Sequence, residues 1–152
     1  MTRIGVMSDS HGSEANVLSA GWEMKNCDRI IHLGDHVRDA EALNGQTVAP
    51  VTALAGNCDW FSDAPTEAVF DVEGVKIFAT HGHRENVKSG MLHLSLKAQN
   101  LGASLVLFGH THVPEQLNDG GITFLNPGAL RDGRYAIVEI DGKNVKAELK
   151  SL

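Results

Sequence analysis

Ile4-Gly5-Val6-Met7-Ser8-Asp9-Ser10-His11 decides how this chain is read. An apolar run stops at a carboxylate and an imidazole two positions apart. The pattern recurs down the chain. Gly34-Asp35 follows Ile30-Ile31-His32-Leu33, and Gly56-Asn57 follows Val51-Thr52-Ala53-Leu54-Ala55. His81 follows Val75-Lys76-Ile77-Phe78-Ala79-Thr80, and Gly109-His110-Thr111-His112 follows Leu105-Val106-Leu107-Phe108. Apolar runs of this length bounded by Gly read as buried strands. Polar residues at the ends of several buried strands converge on one rim of a sheet, where α/β proteins bind ligands. Asp9, His11, Asp35, Asn57, His81, His110 and His112 supply two carboxylates, four imidazoles and an amide. That set is enough for two metal ions about 3.5–4 Å apart, the spacing used for phosphoryl chemistry.

At 152 residues with 42% hydrophobic content, the expectation is a single domain, residues 1–152, with one proper core. No run of roughly 18 apolar residues appears, so no membrane span is expected. The start, Met1-Thr2-Arg3-Ile4, enters a strand at once and lacks the regions of a signal peptide. Cys27 and Cys58 do not form a spaced pair, which argues against a disulfide framework and fits a reducing cytoplasm. The net charge of −6, with no basic run, would repel long nucleic acid. Two divalent ions on Asp9 and Asp35 would reverse that sign locally and attract phosphate.

The pattern predicts strands over residues 3–8, 28–34, 49–55, 67–72, 75–80, 104–109, 121–126, 134–140 and 144–149. A helix from Ser13 to Lys25 is expected, with Ser13 as cap and Val17, Leu18, Gly21 and Trp22 toward the sheet. A short helix follows Asp35, from Arg38 to Leu43. The longest helix should run from Asn86 to Asn100, its apolar positions being Val87, Met91, Leu94, Leu96 and Leu101, with Gly102 stopping it in a left-handed conformation. Strand and helix alternate in the first half, which argues for parallel pairing. Turns at Val72-Glu73-Gly74, Asn118-Asp119-Gly120-Gly121 and Asp141-Gly142-Lys143 are hairpin signals, so the sheets should be mixed. Nine strands with few helices suggest two packed sheets flanked by helices.

Beyond the end of a strand, a turn can aim both Asp9 and His11 at one ion. Asp35 can bridge two ions through its two oxygens, and Asn57 offers a neutral oxygen. Imidazoles suit Mn, Fe, Co, Ni and Zn rather than Mg or Ca. Ions held this way neutralise phosphate oxygens, lower the pKa of a bridging water and hold the nucleophile in line with the leaving group.

Asp-x-His, Gly-Asp, Gly-Asn-x-Asp, His and Gly-His-x-His, in this order from Asp9 to His112, resemble the calcineurin-like metallophosphoesterase superfamily. The short length, the Gly56-Asn57-Cys58-Asp59 block and the Asn126-Pro127-Gly128 turn look like its small YfcE-type phosphodiesterases. The resemblance implies an α/β fold, a four-layer α/β/β/α sandwich. It implies one metal held by Asp9, His11, Asp35 and His112, and a second by Asp35, Asn57, His81 and His110. Asn57 would also touch the substrate phosphate. Many relatives carry His where Cys58 stands. A thiol, with an unperturbed pKa of about 8.5, is a poor substitute as donor, so leaving-group assistance falls to His83 or to no residue.

Other residues have plainer readings. Asp59 orients a neighbouring group at the catalytic centre or simply serves a turn. Cys58 lies at the substrate position but reads as a small packed thiol rather than a nucleophile. His83 contacts phosphate or is an exposed loop imidazole. His32 is a satisfied core histidine, His36 starts a helix or, directly after Asp35, lines the site, and His93 faces solvent. Trp60 and Phe61 form an apolar lip for a substrate's organic group, a subunit contact, or ordinary packing. Arg38 and Arg84 read as solvated surface, with phosphate binding as the alternative.

The function expected is a dinuclear metal-dependent phosphodiesterase, in which a metal-bridging water or hydroxide attacks phosphorus in line. Mn(II) is the first choice of ion, with Ni, Fe, Co or Zn as others. No long insertion separates the blocks, so a large cap domain is absent and the site should accept small phosphodiesters. One alternative is a phosphomonoesterase acting on nucleotides or sugar phosphates. Another is a non-catalytic scaffold like the retromer subunit of this fold. The expected partner is a small-molecule phosphoester, and subunit number stays open, with the resemblance allowing a homo-oligomer, dimer or tetramer.

Overall fold

The computed structural model describes all 152 residues. Ten strands form two five-stranded sheets. The first has the order β10-β9-β1-β2-β3, with β1 Thr2–Met7, β2 Arg29–His32, β3 Val51–Ala53, β9 Arg134–Asp141 and β10 Asn144–Ser151. The second has the order β4-β5-β6-β8-β7, with β4 Glu67–Val72, β5 Val75–Thr80, β6 Leu105–Leu107, β7 Glu115–Asp119 and β8 Ile122–Asn126. β1, β2 and β3 are parallel, as are β5, β6 and β8, and the outer pairs are antiparallel. The expected mixed pairing is therefore present in both sheets.

Alternation along the strands builds three apolar layers. Ile4 and Val6 of β1, Ile31 of β2, Ile77 and Ala79 of β5, Leu105 and Leu107 of β6, and Val138 of β9 pack between the two sheets. On the outer face of the first sheet, α1 (Glu14–Glu23) and a 3₁₀ helix (Val37–Leu43) cover Met7, Ile30, Tyr135 and Ile137. On the outer face of the second, α2 (Leu92–Leu101) covers Phe78, Val106 and Phe124. The order helix, sheet, sheet, helix is the four-layer sandwich that the sequence led us to expect. Gly5 lets α1 close down on β1, since a Cβ there would run into the Met24 side chain. No helix is long and apolar enough to cross a membrane.

Several local expectations are corrected. A tenth strand, β7, carries Glu-Gln-Leu-Asn-Asp and is mostly exposed. It is an edge strand defined by backbone pairing with β8, so it has no apolar alternation to find. In α1, Val17, Ala20 and Gly21 are buried, whereas Leu18 and Trp22 face solvent. The inward stripe follows helical spacing from Val17 to Met24 and leaves Trp22 outside, with the Lys25 ammonium 4.1 Å from its ring centroid. Ser13 stands at the N-cap, but its hydroxyl caps nothing. The second long helix starts at Leu92 rather than Asn86. Asn86 is left-handed and Gly90 has φ 131°, so residues 87–89 form only a 3₁₀ turn before the helix begins. Leu96 points outward, and Leu94 and Ala98 carry the packing. Gly102 ends the helix at φ 72°, as expected.

Candidate metal centre

The parallel strands of both sheets end at one rim. Asp9 and His11 follow β1, Asp35 follows β2, Asn57 follows β3, His81 follows β5, and His110 and His112 follow β6. The turns that aim these side chains are strained. Of the eight non-glycine residues with positive φ, five are Asp9, His11, Asp35, His110 and His112. Left-handed backbone at a non-glycine residue costs roughly 1–3 kcal/mol, and such residues cluster at functional sites. Two glycines of the motifs serve close approach. A Cβ on Gly56 would overlap the Asp35 carboxylate, and one on Gly109 would overlap Ser8 and Asp9.

The ligand atoms fall into two overlapping groups. Asp9, His11, Asp35 and His112 bring one donor atom each within 4.8 Å of one another, and so do Asp35, His81 and His110. Asp35 belongs to both. In the first group His11 Nε2 and His112 Nε2 are 3.2 Å apart, and Asp9 Oδ1 is 3.1 Å from His112 Nε2 and 3.6 Å from His11 Nε2. In the second, His81 Nε2 lies 3.5 Å from Asp35 Oδ1 and 3.1 Å from Asn57 Oδ1. Asn57 thus joins the second group through its amide oxygen.

The surroundings fit cations. Asp9 is fully buried; its Oδ2 accepts from the Ser8 hydroxyl and the His110 backbone N–H. Its Oδ1 is buried without a hydrogen-bond partner and faces three imidazoles, which suits a cation among them. His81 Nδ1 is 3.0 Å from the Leu33 carbonyl, the contact that aims Nε2 of a ligating histidine at an ion. Burial works against charge on His81, but its hydrogen bond to Asp35 and the Asp9 carboxylate outweigh it, so its pKa is raised. Positive charge, a proton or an ion, is favoured at this point. Burial likewise opposes ionisation of Asp35, but His81 and the Cys58 backbone N–H hold its carboxyl well below the usual carboxylate range. His110 is pushed down to about 4 by burial and by His81, so it presents a neutral ring.

The remaining predicted residues sort as follows. The Asp59 carboxylate belongs to neither ligand group. It accepts the backbone N–H groups of Asp35 (2.9 Å), Val37 (3.0 Å) and Gly56 (2.8 Å). Cys58 is exposed, its backbone N–H donates to Asp35 Oδ1 at 3.0 Å, and burial and the nearby carboxylates raise its thiol pKa. His83 stands beside the second group, its ring centroid 5.4 Å from that of His81 and 6.2 Å from that of His110. Its Nδ1 is buried and unpartnered, and burial with the His81 charge lowers its pKa. His32 is a satisfied core histidine: Nε2 is 2.9 Å from Ser10 Oγ, and Nδ1 accepts the Gly34 N–H. His36 precedes the 3₁₀ helix in a left-handed conformation, its ring 5.6 Å from that of His11. His93 is exposed. Arg84 is exposed and donates to Thr66.

Two residues escaped the sequence reading of the site. Asn126 is fully buried, and its amide donates to the Gly109 carbonyl (3.2 Å) and to Thr111 Oγ1 (2.9 Å). It thereby spans the turn that carries His110 and His112. Only the Asn-Pro-Gly triplet pointed there. Arg131 Nη2 lies 3.2 Å from His112 Nδ1. A guanidinium can only donate, so this contact and ligation through Nε2 compete for the neutral ring's single lone pair. No motif signals Arg131.

Comparison with known proteins gives the family. A model of the calcineurin-like phosphoesterase superfamily domain matches residues 2–143. "Probable metallophosphoesterase YsnB" of Bacillus subtilis (strain 168) is 31% identical over 143 residues, 90% of this chain and 83% of YsnB. "Phosphodiesterase YfcE" of Escherichia coli (strain K12) is 34% identical over 100 residues, 60% of this chain and 50% of YfcE. A conserved uncharacterized protein from Streptococcus pneumoniae TIGR4, described as a predicted phosphoesterase, superposes with a TM-score of 0.84 at 32% identity, over 99% of this chain and 89% of that chain. Vps29 from Entamoeba histolytica superposes at 0.79 with 20% identity, over 99% of both chains, a likeness of fold alone. The chain belongs to the calcineurin-like phosphoesterase superfamily. It is a metal-dependent phosphoesterase.

Proposed function

We propose that the chain is a dinuclear phosphodiesterase acting on small, accessible phosphodiesters, with Mn(II) as its preferred ion. The observation that carries this reading is the pair of ligand groups sharing Asp35, with the unpartnered Asp9 Oδ1 facing them. Two ions so held would supply positive charge to the phosphate oxygens and acidify a bound water. The chain's own residues do the rest. Asp9, His11, Asp35 and His112 hold one ion; Asp35, Asn57, His81 and His110 hold the other. The exposed Asn57 amide offers N–H to a phosphate oxygen. Asp59 sets the Asp35 and Gly56 backbones in place. Cys58 meets the substrate as a neutral thiol. His83 hydrogen-bonds the phosphate or the leaving oxygen. Two free cysteines support a reducing cytoplasm as its location.

The same ligands would serve a monoesterase, so the substrate class is tested directly. Rates on 4-nitrophenyl methyl phosphate and on 4-nitrophenyl phosphate, across Mn, Ni, Co and Zn, should favour the diester; a strong monoester preference would overturn that part of the reading. A scaffold role is opposed by side chains able to ligate at all seven positions, and a chain that takes up no metal would restore it. His83→Ala, assayed with leaving groups of rising pKa, separates two roles: a loss that grows along the series marks a proton donor, and an equal loss marks phosphate binding.

A further inference from the structure

Between the 3₁₀ helix and the segment after Asn57 lies a cleft of about 740 Å³. It falls within the size range of small-molecule sites, about 300–1,000 Å³. His36 and Cys58 are among its lining residues. Both adjoin the metal centre, His36 beside the His11 ring and Cys58 through its N–H on Asp35. Val51 and Ala53 of edge strand β3 line it, with Trp60 and Phe61 on the loop side. Trp60 is 84% exposed and Phe61 wholly so. Two neighbouring aromatic rings held in water are costly unless something covers them.

The loop that carries these rings is braced. Asp59, directly before Trp60, accepts three backbone N–H groups, and Ala55 N–H donates to the Pro65 carbonyl at 2.8 Å, closing the loop at its base. The rings are thus tied to the segment that positions Asp35. Eight of the fifteen lining residues are hydrophobic, and Arg38 is opposed by Glu41 and Asp63 in the same lining. The cleft therefore suits a flat uncharged group better than a second phosphate.

We infer that this cleft is a subsite for a planar aromatic group, aryl or nucleobase, on one arm of the phosphoester. The inference rests on the phosphodiesterase reading, because it takes the phosphorus to sit at the metal centre. Trp60 and Phe61 supply stacking surface, and β3 supplies the apolar floor.

The test has a kinetic arm and a binding arm. Phenyl and methyl 4-nitrophenyl phosphate release the same phenolate and differ only in the retained arm. Wild type should favour the phenyl ester in kcat/KM by about tenfold more than a Trp60→Ala/Phe61→Ala variant does, the size expected of one or two aromatic contacts. For binding, Trp22→Phe leaves Trp60 as the sole indole, Trp22 being on α1 in a separate surface hollow with Leu18 and Leu152. In the presence of Mn(II), phenylphosphonate should quench Trp60 fluorescence and bind several-fold tighter than methylphosphonate. Equal binding of the two, or a phenyl-to-methyl ratio unmoved in the double variant, overturns the subsite. So does an unmoved ratio with a smaller sedimenting species, which would make the rings a contact between copies. If neither ester is cleaved with any metal, the phosphodiesterase reading fails, and the phosphonate titration still decides the subsite.

Discussion

Asp59 holds Asp35 from behind: its Oδ2 accepts the Asp35 backbone N–H at 2.9 Å. The same oxygen takes the Gly56 N–H, and Oδ1 takes that of Val37. The residue shared by both ligand groups is therefore fixed through its backbone by a carboxylate that belongs to neither group. Asp59→Asn leaves one oxygen where two were used, so at least one N–H faces an amide donor. An unsatisfied buried group costs about 1–3 kcal/mol. The variant should melt lower and bind Mn(II) about 10- to 100-fold more weakly, the usual loss when a ligand's supporting contact is removed. Calorimetric titration showing unchanged affinity would refute the positioning role.

Asn126 performs the same service for the turn that carries His110 and His112. Aspartate is nearly isosteric but has no N–H to give the Gly109 carbonyl or Thr111. Asn126→Asp should weaken Mn(II) binding at least as much as Asn126→Ala does. If aspartate preserves affinity, the side chain acts through its oxygen, which accepts the Gly128 N–H at 2.9 Å, and not by donating.

His32 makes stability depend on pH. Burial pushes its pKa down to about 4. In the unfolded chain it titrates at about 6.5. Between those values the unfolded state binds more protons, so stability is complete above about pH 6.5 and falls as pH drops toward 4. The loss from this group between pH 7 and 4.5 is about 2 kcal/mol. His32→Asn keeps an acceptor for the Gly34 N–H and removes the titration. Urea midpoints at the two pH values should converge for the variant relative to wild type. Equal acid sensitivity in both proteins would show that His32 is not responsible.

The sequence disclosed what side-chain chemistry alone can encode. Asp9, His11, Asp35, His81, His110 and His112 could be collected because carboxylates and imidazoles recur together at the ends of apolar runs, where any one alone would read as a turn or a cap. The strands were visible as apolar runs, but which side chains face the other sheet was not, because both faces are apolar: Ile4, Val6, Ile77 and Leu105 point between the sheets, and Met7, Ile30, Phe78 and Val106 point outward. Features set by backbone or by distant contacts were not visible. β7 exists through pairing with β8, and α2 starts late because of Asn86 and Gly90. The outward turn of Trp22 depends on which stripe of α1 the sheet selects. Asn126 gains its role from a turn fifteen residues earlier, and Arg131 reaches His112 from nineteen residues away.

The central claim is that two ions share Asp35, and counting bound metal tests it most directly. Purified chain loaded with Mn(II), freed of excess ion and analysed for metal by mass spectrometry should hold two ions per chain. His11→Ala and His110→Ala should each keep one, because each removes a ligand from one group only. Asp35→Ala, though folded by circular dichroism, should keep neither. Two ions retained by Asp35→Ala, or a wild-type chain that never holds more than one, would contradict the account.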